Sequence, residues 1–419
     1  MIRERNIASF TYSAGNSQVV DLPRDAVYHI IQLSVTGAVT VLQATTGTQC
    51  LFEDCFPFSL IRNLRLIRNG SDVVYQSSGC LLAKEHYYLN ETFPHARLYT
   101  LATSVETLLL SSTVGALGAK GVTVPANDEG IGMTQVEFAT ATNAAAATNV
   151  VNFDFQVDLY LQMGPSDLYF GTLVDARRLA TFQLVFDYAA VADVTIVGDT
   201  TATIAATGRI LSYDQDNVAT DVDYGTFKRS MLSISNLAYG SSNQQVLLTR
   251  GNYYHGVIID CLAQKSNSTT VLAHENGVIQ LLVNRINTNF QLRNTNWEDL
   301  QRKTVADGCA NNAFTGSRGL PNGSAYFYYP CTGDRASELV PSHAFDQFDL
   351  LINLAASASV TTTSTGINGP ENGATTSGTN PTLNIMLEEV IPGVSMGDSY
   401  PSAAQAGSRR ATSAKPYAR

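Results

Sequence analysis

Leu22-Pro23-Arg24-Asp25-Ala26-Val27-Tyr28-His29 and Leu248-Thr249-Arg250-Gly251-Asn252-Tyr253-Tyr254-His255 decide how this chain is built. Leu, Arg, Tyr and His recur in the same order and spacing, each 226 positions further on. Each copy runs into an apolar segment with strand character, Ile30–Val35 in the first and Val257–Leu262 in the second.

The echo continues downstream. Ile61-Arg-Asn-Leu64-Arg-Leu66-Ile67-Arg68-Asn69-Gly70 is answered by Ile279-Gln-Leu281-Leu282-Val283-Asn284-Arg285-Ile286-Asn287, with a shift of 218. Eighteen residues beyond each opening Ile comes a helix-like patch, starting at Gly79 or Trp297. Two motifs repeated in matching order argue for a duplicated domain.

Bulk properties agree. With 419 residues the chain suits two domains of roughly 100–200 residues each. Hydrophobic residues make up 44% and charged residues 15%, and 19 Tyr and 17 Phe favour strands and turns over long helices. A formal net charge of −10 speaks against sequence-specific nucleic-acid binding, which calls for a basic stripe. Six cysteines (Cys50, Cys55, Cys80, Cys261, Cys309, Cys331) are too few for a disulfide scaffold and include no CxxC pair, so free thiols are expected. Met1–Asn6 lacks the apolar core of a signal peptide, and no apolar run approaches the ~20 residues of a membrane span.

Period-two patterning marks the strands. Ile31, Leu33 and Val35 oppose Gln32 and Ser34. Asn69-Gly70 predicts a hairpin between two strands spanning 61 to 76. The clearest strand places Val151, Phe153, Phe155, Val157, Leu159 and Leu161 on one face. Two short helices are expected, Gly79–Asn90 and one capped by Thr295-Asn-Trp297-Glu298, with Trp297, Leu300 and Val305 sharing a face and Gly308 ending it. Later echoes pair Phe153–Leu159 with Phe348–Leu354, and Thr181–Phe186 with Thr382–Leu387. Ser230–Asn236 has no echo and reads as a link, with the boundary near Tyr239–Asn243.

The expected organisation is an N-terminal arm (1–15) that pairs with a sheet edge or stays loose, a first domain (16–239), a second (240–396) and a basic tail (397–419). Residues 102–149 and 355–381 read as long loops. The fold class is all-β, two tandem eight-stranded jelly rolls with short helices, although strand count alone does not separate these from immunoglobulin-like sandwiches.

Chemistry is sparse. No catalytic or cofactor-binding constellation is recognised, and no enzyme is expected. His29 and His255 read as hydrogen-bonded residues where a turn enters a strand, and Arg24 and Arg250 as residues pinning a loop or a subunit contact. No metal is expected. The candidates for a loose Ca²⁺ loop are Asp214, Asp216, Asp221 and Asp223, but Ala219 and Gly225 stand where an EF-hand needs Gly and Glu. Gly115–Gly121 fits no phosphate-binding fingerprint. Glu388-Glu389 and Asp175-Ala-Arg177-Arg178 read as surface or interface electrostatics.

The repeated motifs, with Ser78-Gly79, Thr295–Trp297 and the closing Leu387-Glu-Glu-Val-Ile-Pro392-Gly393, give a resemblance covering about residues 15 to 395. The chain resembles the double jelly-roll major capsid proteins of tailless icosahedral viruses, including tectiviruses, corticoviruses and their marine relatives. The Thr/Ser-rich loop before the last strand departs from the family. The resemblance implies a homotrimer of pseudo-hexagonal outline in the virion shell, made in the host cytoplasm. Its implied partners are neighbouring capsomers, penton and minor capsid proteins, and an internal viral membrane reached through the termini. Arg3, Arg5, Arg409, Arg410, Lys415 and Arg419 would face inward or clamp neighbours, with no cofactor. The alternative is a viral spike or carbohydrate-binding sandwich, whose mark would be exposed aromatics among Tyr253, Tyr254, Tyr326, Phe327, Tyr328 and Tyr329.

Overall fold

A strand buries every second side chain, so strict alternation fixes which way up it lies. In the computed structural model Thr148–Tyr160 is such a strand, with Val151, Phe153, Phe155, Val157 and Leu159 buried along one face. The structure describes residues 2–43, 50–52, 55–90, 94–102, 105–108, 148–162, 172–197, 200–216, 224–264, 272–274, 279–287, 290–306, 324–328, 339–355 and 381–391.

The first roll is carried by β1 (Arg3–Thr11), β2 (Ser17–Asp21), β3 (Val27–Gln43), β4 (Ile61–Arg68), β5 (Asp72–Ser77), β6 (Thr148–Tyr160), β7 (Phe182–Tyr188) and β8 (Thr200–Gln215). Two antiparallel sheets, β1-β8-β3-β6 and β2-β7-β4-β5, enclose the first core. The second roll repeats this with β9 (Thr226–Ile234), β10 (Gln244–Leu247), β11 (Tyr253–Gln264), β12 (Ile279–Arg285), β13 (Gln291–Asn296), β14 (Ser324–Tyr328), β15 (Asp349–Leu354) and β16 (Thr382–Ile391). Its sheets are β9-β16-β11-β14 and β10-β15-β12-β13, around a second core. Helix α1 (Gly79–Asn90) follows β5 and helix α2 (Trp297–Ala306) follows β13.

Each of the first eight of these strands thus finds its counterpart eight strands later, and the likeness reaches individual hydrogen bonds. The Tyr28 hydroxyl donates to Pro23 O and that of Tyr254 to Thr249 O, both at 2.7 Å. Arg24 Nη1 donates to Leu179 O at 3.0 Å, and Arg250 Nη1 to Phe345 O at 2.9 Å. Leu22 N reaches Phe182 O at 2.8 Å, and Leu248 N reaches Phe348 O at 3.0 Å. The recurring Leu, Arg and Tyr are therefore the set that ties the turn before β3, or β11, to the segment leading into β7, or β15. At the Asn69-Gly70 hairpin both residues have positive φ, 51° and 79°, the twist that a two-residue turn needs.

These bonds correct the later echoes. Phe348–Leu354 matches Phe182–Tyr188 instead of Phe153–Leu159, and Thr382–Leu387 belongs to the counterpart of β8. Similar apolar alternation in neighbouring strands had concealed a slip of one strand. Ser230–Asn236 begins within β9, which pairs along its length with β16 and so opens the second roll. Its first-roll counterpart is β1, which pairs with β8, so the arm takes its edge-strand form. The division between the rolls accordingly falls between Gln215 and Thr226.

Local details differ too. The cap of α2 is Asn296, whose Oδ1 accepts from Asp299 N at 2.7 Å, one residue after the expected Thr295. Ser78 caps α1 in the same way through Leu81 N at 3.2 Å. Trp297 and Leu300 are buried as expected; the side chain of Val305, and Gly308, lie outside the described residues. Cys55 and Cys80 form a disulfide, against the expectation of free thiols, because the turn before β4 brings the first turn of α1 alongside. Cys261 is buried and lies outside that disulfide. Most of 102–149, almost all of 355–381, and the whole tail 397–419 lie outside the described residues, as do Gly115–Gly121.

Candidate functional site

The part of the molecule richest in unusual chemistry is the seam between the rolls. Tyr75 of β5 bridges in parallel to Arg229 of β9, so a first-roll sheet runs on into a second-roll sheet. Helix α1 then lies over that sheet. Leu81, Lys84, Glu85 and Tyr88 follow the i, i+3, i+4, i+7 spacing of one helix face, and all four are buried.

Lys84 Nζ donates to Asp260 Oδ1 at 2.5 Å. Arg229 Nε donates to Glu85 Oε1 at 2.8 Å, while the Tyr75 hydroxyl donates to Glu85 Oε2. Arg229 also lies 3.3 Å above the Phe227 ring. The network continues through Glu388, whose Oε2 bonds His255 Nδ1 at 2.6 Å and the Tyr326 hydroxyl at 2.5 Å. Tyr88 stacks on Tyr326 and bonds Ser324 at 2.6 Å. Leu81, Tyr87 and Tyr88 with Ile258, Tyr326 and Met386 form a third apolar cluster, made by both rolls together.

Burial pushes the Glu85 carboxyl up against the pull of Arg229, and pushes the Tyr75 hydroxyl well above its ordinary value. For Glu388 burial acts in the same sense but is outweighed by the hydrogen bond and charge of His255 and by Arg229, which hold it below the usual carboxylate value. Arg229 is pushed up: burial opposes its charge, but Glu85, Tyr75 and Glu388 outweigh it. Chemically this is a lock. Opposite charges drawn from separate rolls satisfy one another only when the rolls sit in one relative position.

A cleft of ≈ 210 Å³ opens beside the lock, bordered by Ser59, Arg62, Met231, Ser233 and Asn384, and its carboxylate, Asp260, is engaged by Lys84.

Sequence reasoning missed Lys84, Glu85, Arg229 and Asp260. The available signal was a charge inside an apolar run, as in Val257-Ile-Ile-Asp260-Cys-Leu262, and a Lys-Glu pair on the same helical stripe as Leu81 and Tyr88. Glu388 and Glu389, read as surface or interface charges, are both fully buried, Glu388 within the seam network. In strand register Glu389 stands opposite Tyr254 as Asp214 stands opposite Tyr28, so one of these acids and the calcium candidate occupy one repeated position.

Asp214 itself is buried and takes Arg3 Nε at 2.8 Å and Arg5 Nε at 2.7 Å. Asp216 takes Arg3 Nη1 at 2.6 Å, and Arg5 also pairs with Asp25 at 2.7 Å. The two aspartates are thus paired with guanidinium groups, and Arg3 and Arg5, expected to face inward or clamp neighbours, make these ion pairs within their own chain. Asp221, Asp223, Arg409, Arg410, Lys415 and Arg419 lie outside the described residues.

His29 bonds Gln162 Oε1 through Nδ1 at 2.8 Å and Gln215 through Nε2. Asp175 pairs with Arg177 at 2.8 Å. Tyr254, Tyr326 and Phe327 are buried, so they do not offer the aromatic groove of a carbohydrate site; Tyr253 is half-buried, edge-on to His343, and the side chain of Tyr328, and Tyr329, lie outside the described residues.

No protein-family model and no curated protein matches the sequence. Among solved structures, the chain is similar to the crystal structure of the major capsid protein of STIV, with 13% identity and a TM-score of 0.57, covering 94% of this chain and 97% of that one. It is similar to a chain in the atomic structure of Sulfolobus Turreted Icosahedral Virus, with 14% identity and a TM-score of 0.60, covering 97% and 95%. The fold is that of a double jelly-roll major capsid protein. In this double jelly-roll chain the seam joins the two rolls, since α1 and β5 of one roll complete a surface of the other.

Proposed function

We propose that the chain is the major capsid protein of an icosahedral virus, and that three copies close into a pseudo-hexagonal capsomer tiling the shell. The observation that carries this reading is the same eight-strand topology built twice in one chain, the two copies locked by buried charges. Two similar rolls taken three times give six nearly equivalent sides, which pack against neighbouring tiles. The role is structural and not catalytic. Its partners are neighbouring capsomers together with penton and minor capsid proteins. The tail that carries Arg409, Arg410, Lys415 and Arg419 supplies positive charge for an acidic inner membrane or genome, opposite in sign to the body. Synthesis takes place in the host cytoplasm, and the protein ends in the virion shell.

Light scattering and negative-stain imaging of the purified full-length protein test this. The expected result is a mass near three times 45.1 kDa and a six-sided outline. A monomer at every concentration, or a dimer whose elution shifts with added sugar, overturns it in favour of the binding sandwich.

A further inference from the structure

The seam inside the chain has two free halves left over. β1 ends one sheet and β13 ends another. Their counterparts, β9 and β5, lie side by side, with the helix that follows β5 folded over the join. Nothing among the described residues covers β1 in the way β5 covers β9.

Register tells which residues would meet. Glu4 stands opposite Tyr213 as Arg229 stands opposite Glu388, at the same remove from Tyr28 and Tyr254, so Glu4 is the counterpart of Arg229. The shift of 218 that relates β5 and α1 to β13 and α2 makes Arg293 the counterpart of Tyr75, and Lys303 that of Glu85. Within the chain a central cation, Arg229, receives the carboxylate of α1. At the outer halves the signs are exchanged, with a central anion, Glu4, and cations at Lys303 on α2 and at Arg293 on β13, whose guanidinium lies 4.5 Å over the Phe327 ring of its own chain.

Glu4 and Lys303 are both exposed. Beside Glu4, Ile2 is 51% exposed, whereas its counterpart Phe227 is 2% exposed and roofed by Arg229. An apolar residue and a charge that are buried in one seam are thus presented to solvent in the other.

We propose that the internal seam is the template for the contact between copies: β13 and α2 of one chain pack on β1 of the next, and Lys303 with Arg293 takes the Glu4 carboxylate. This rests on the trimeric reading above and names the surfaces that close the ring. The contact is head-to-tail, as a closed ring of asymmetric units requires.

Full-length wild type, Glu4→Lys, Lys303→Glu and the double variant are compared by light scattering across a dilution series. Each single variant is expected to raise the concentration at which trimers dissociate by at least about tenfold, because like charges then face each other, and the double variant to restore most of the loss. Lys303→Glu, on the solvent face of α2, tests the contact without touching the Arg3–Arg5–Asp214 cluster beside Glu4. A wild-type trimer whose single variants are undiminished, or whose double variant is no better than either single, overturns the seam assignment and leaves the trimer standing. A wild type that stays monomeric overturns both.

Discussion

Lys84 of the first roll and Asp260 of the second meet at 2.5 Å with side chains 0% and 1% exposed. Removing two charges from water costs several kcal/mol each, so such a pair adds little net stability over an apolar one, yet losing one partner strands the other. Lys84→Met is therefore expected to cost about 3–5 kcal/mol, and Lys84→Met combined with Asp260→Leu to recover most of it. Urea unfolding of the wild type and three variants checks this. A double variant as unstable as the single would mean that the pair is not what holds this part of the seam.

His29 supplies a pH dependence with a definite sign. Burial pushes its imidazole below the ordinary value of 6.5, against the pull of Gln162, and its Nε2 faces the Gln215 amide. Between the lowered folded value and 6.5 the unfolded chain binds more protons than the folded one, so stability is complete above pH 6.5 and falls as the pH drops below it. His86, also lowered by burial, acts in the same sense. The melting temperature is expected to fall between pH 7.5 and pH 5.5, and His29→Gln to flatten that slope. An unchanged slope in the variant would remove His29 from the account.

How much of this was written in the chain depends on the range of the interaction. The rolls were legible because alternation is local, as at Val151–Leu161, and because the repeated motif is one contiguous stretch whose Tyr closes its own turn, Tyr28 on Pro23 and Tyr254 on Thr249. Which late strand matched which was not, since β6, β7 and β8 share an apolar rhythm and only partner bonds such as Leu22 to Phe182 tell them apart. The seam was the least legible part. Glu85 and Arg229 are 144 positions apart, and each alone reads as a solvated charge. Only the fold reveals that both are buried.

The two motif arginines should behave as a matched pair. Arg24 and Arg250 bond equivalent carbonyls from separate rolls and share no partner. Arg24→Ala and Arg250→Ala are each expected to cost about 1 kcal/mol, and the double variant about the sum. Denaturant midpoints for the three variants decide it, and a cost confined to one roll would contradict the equivalence of the two turns.

Gly79 and Trp297 occupy the same place, the first residue of each helix, under opposite demands. A Cβ on Gly79 would sit 2.1 Å from Phe58 O and 3.2 Å from Ile61 Cβ. Phe58 is in no position to yield, because its turn is tied to the next residue of α1 through Cys55–Cys80. In the second roll the same place is filled by the indole of Trp297, 3% exposed and packed in the core with Leu300. Gly79→Ala is thus expected to cost at least about 1–3 kcal/mol by overpacking, and Trp297→Ala about 3–5 kcal/mol by leaving a cavity. Gly79→Ala should also loosen the seating of α1, so limited proteolysis is expected to cut the chain between the rolls faster in that variant than in Trp297→Ala. Unaltered melting and proteolysis in Gly79→Ala would show that the close approach of α1 to the Phe58 turn does not position the seam.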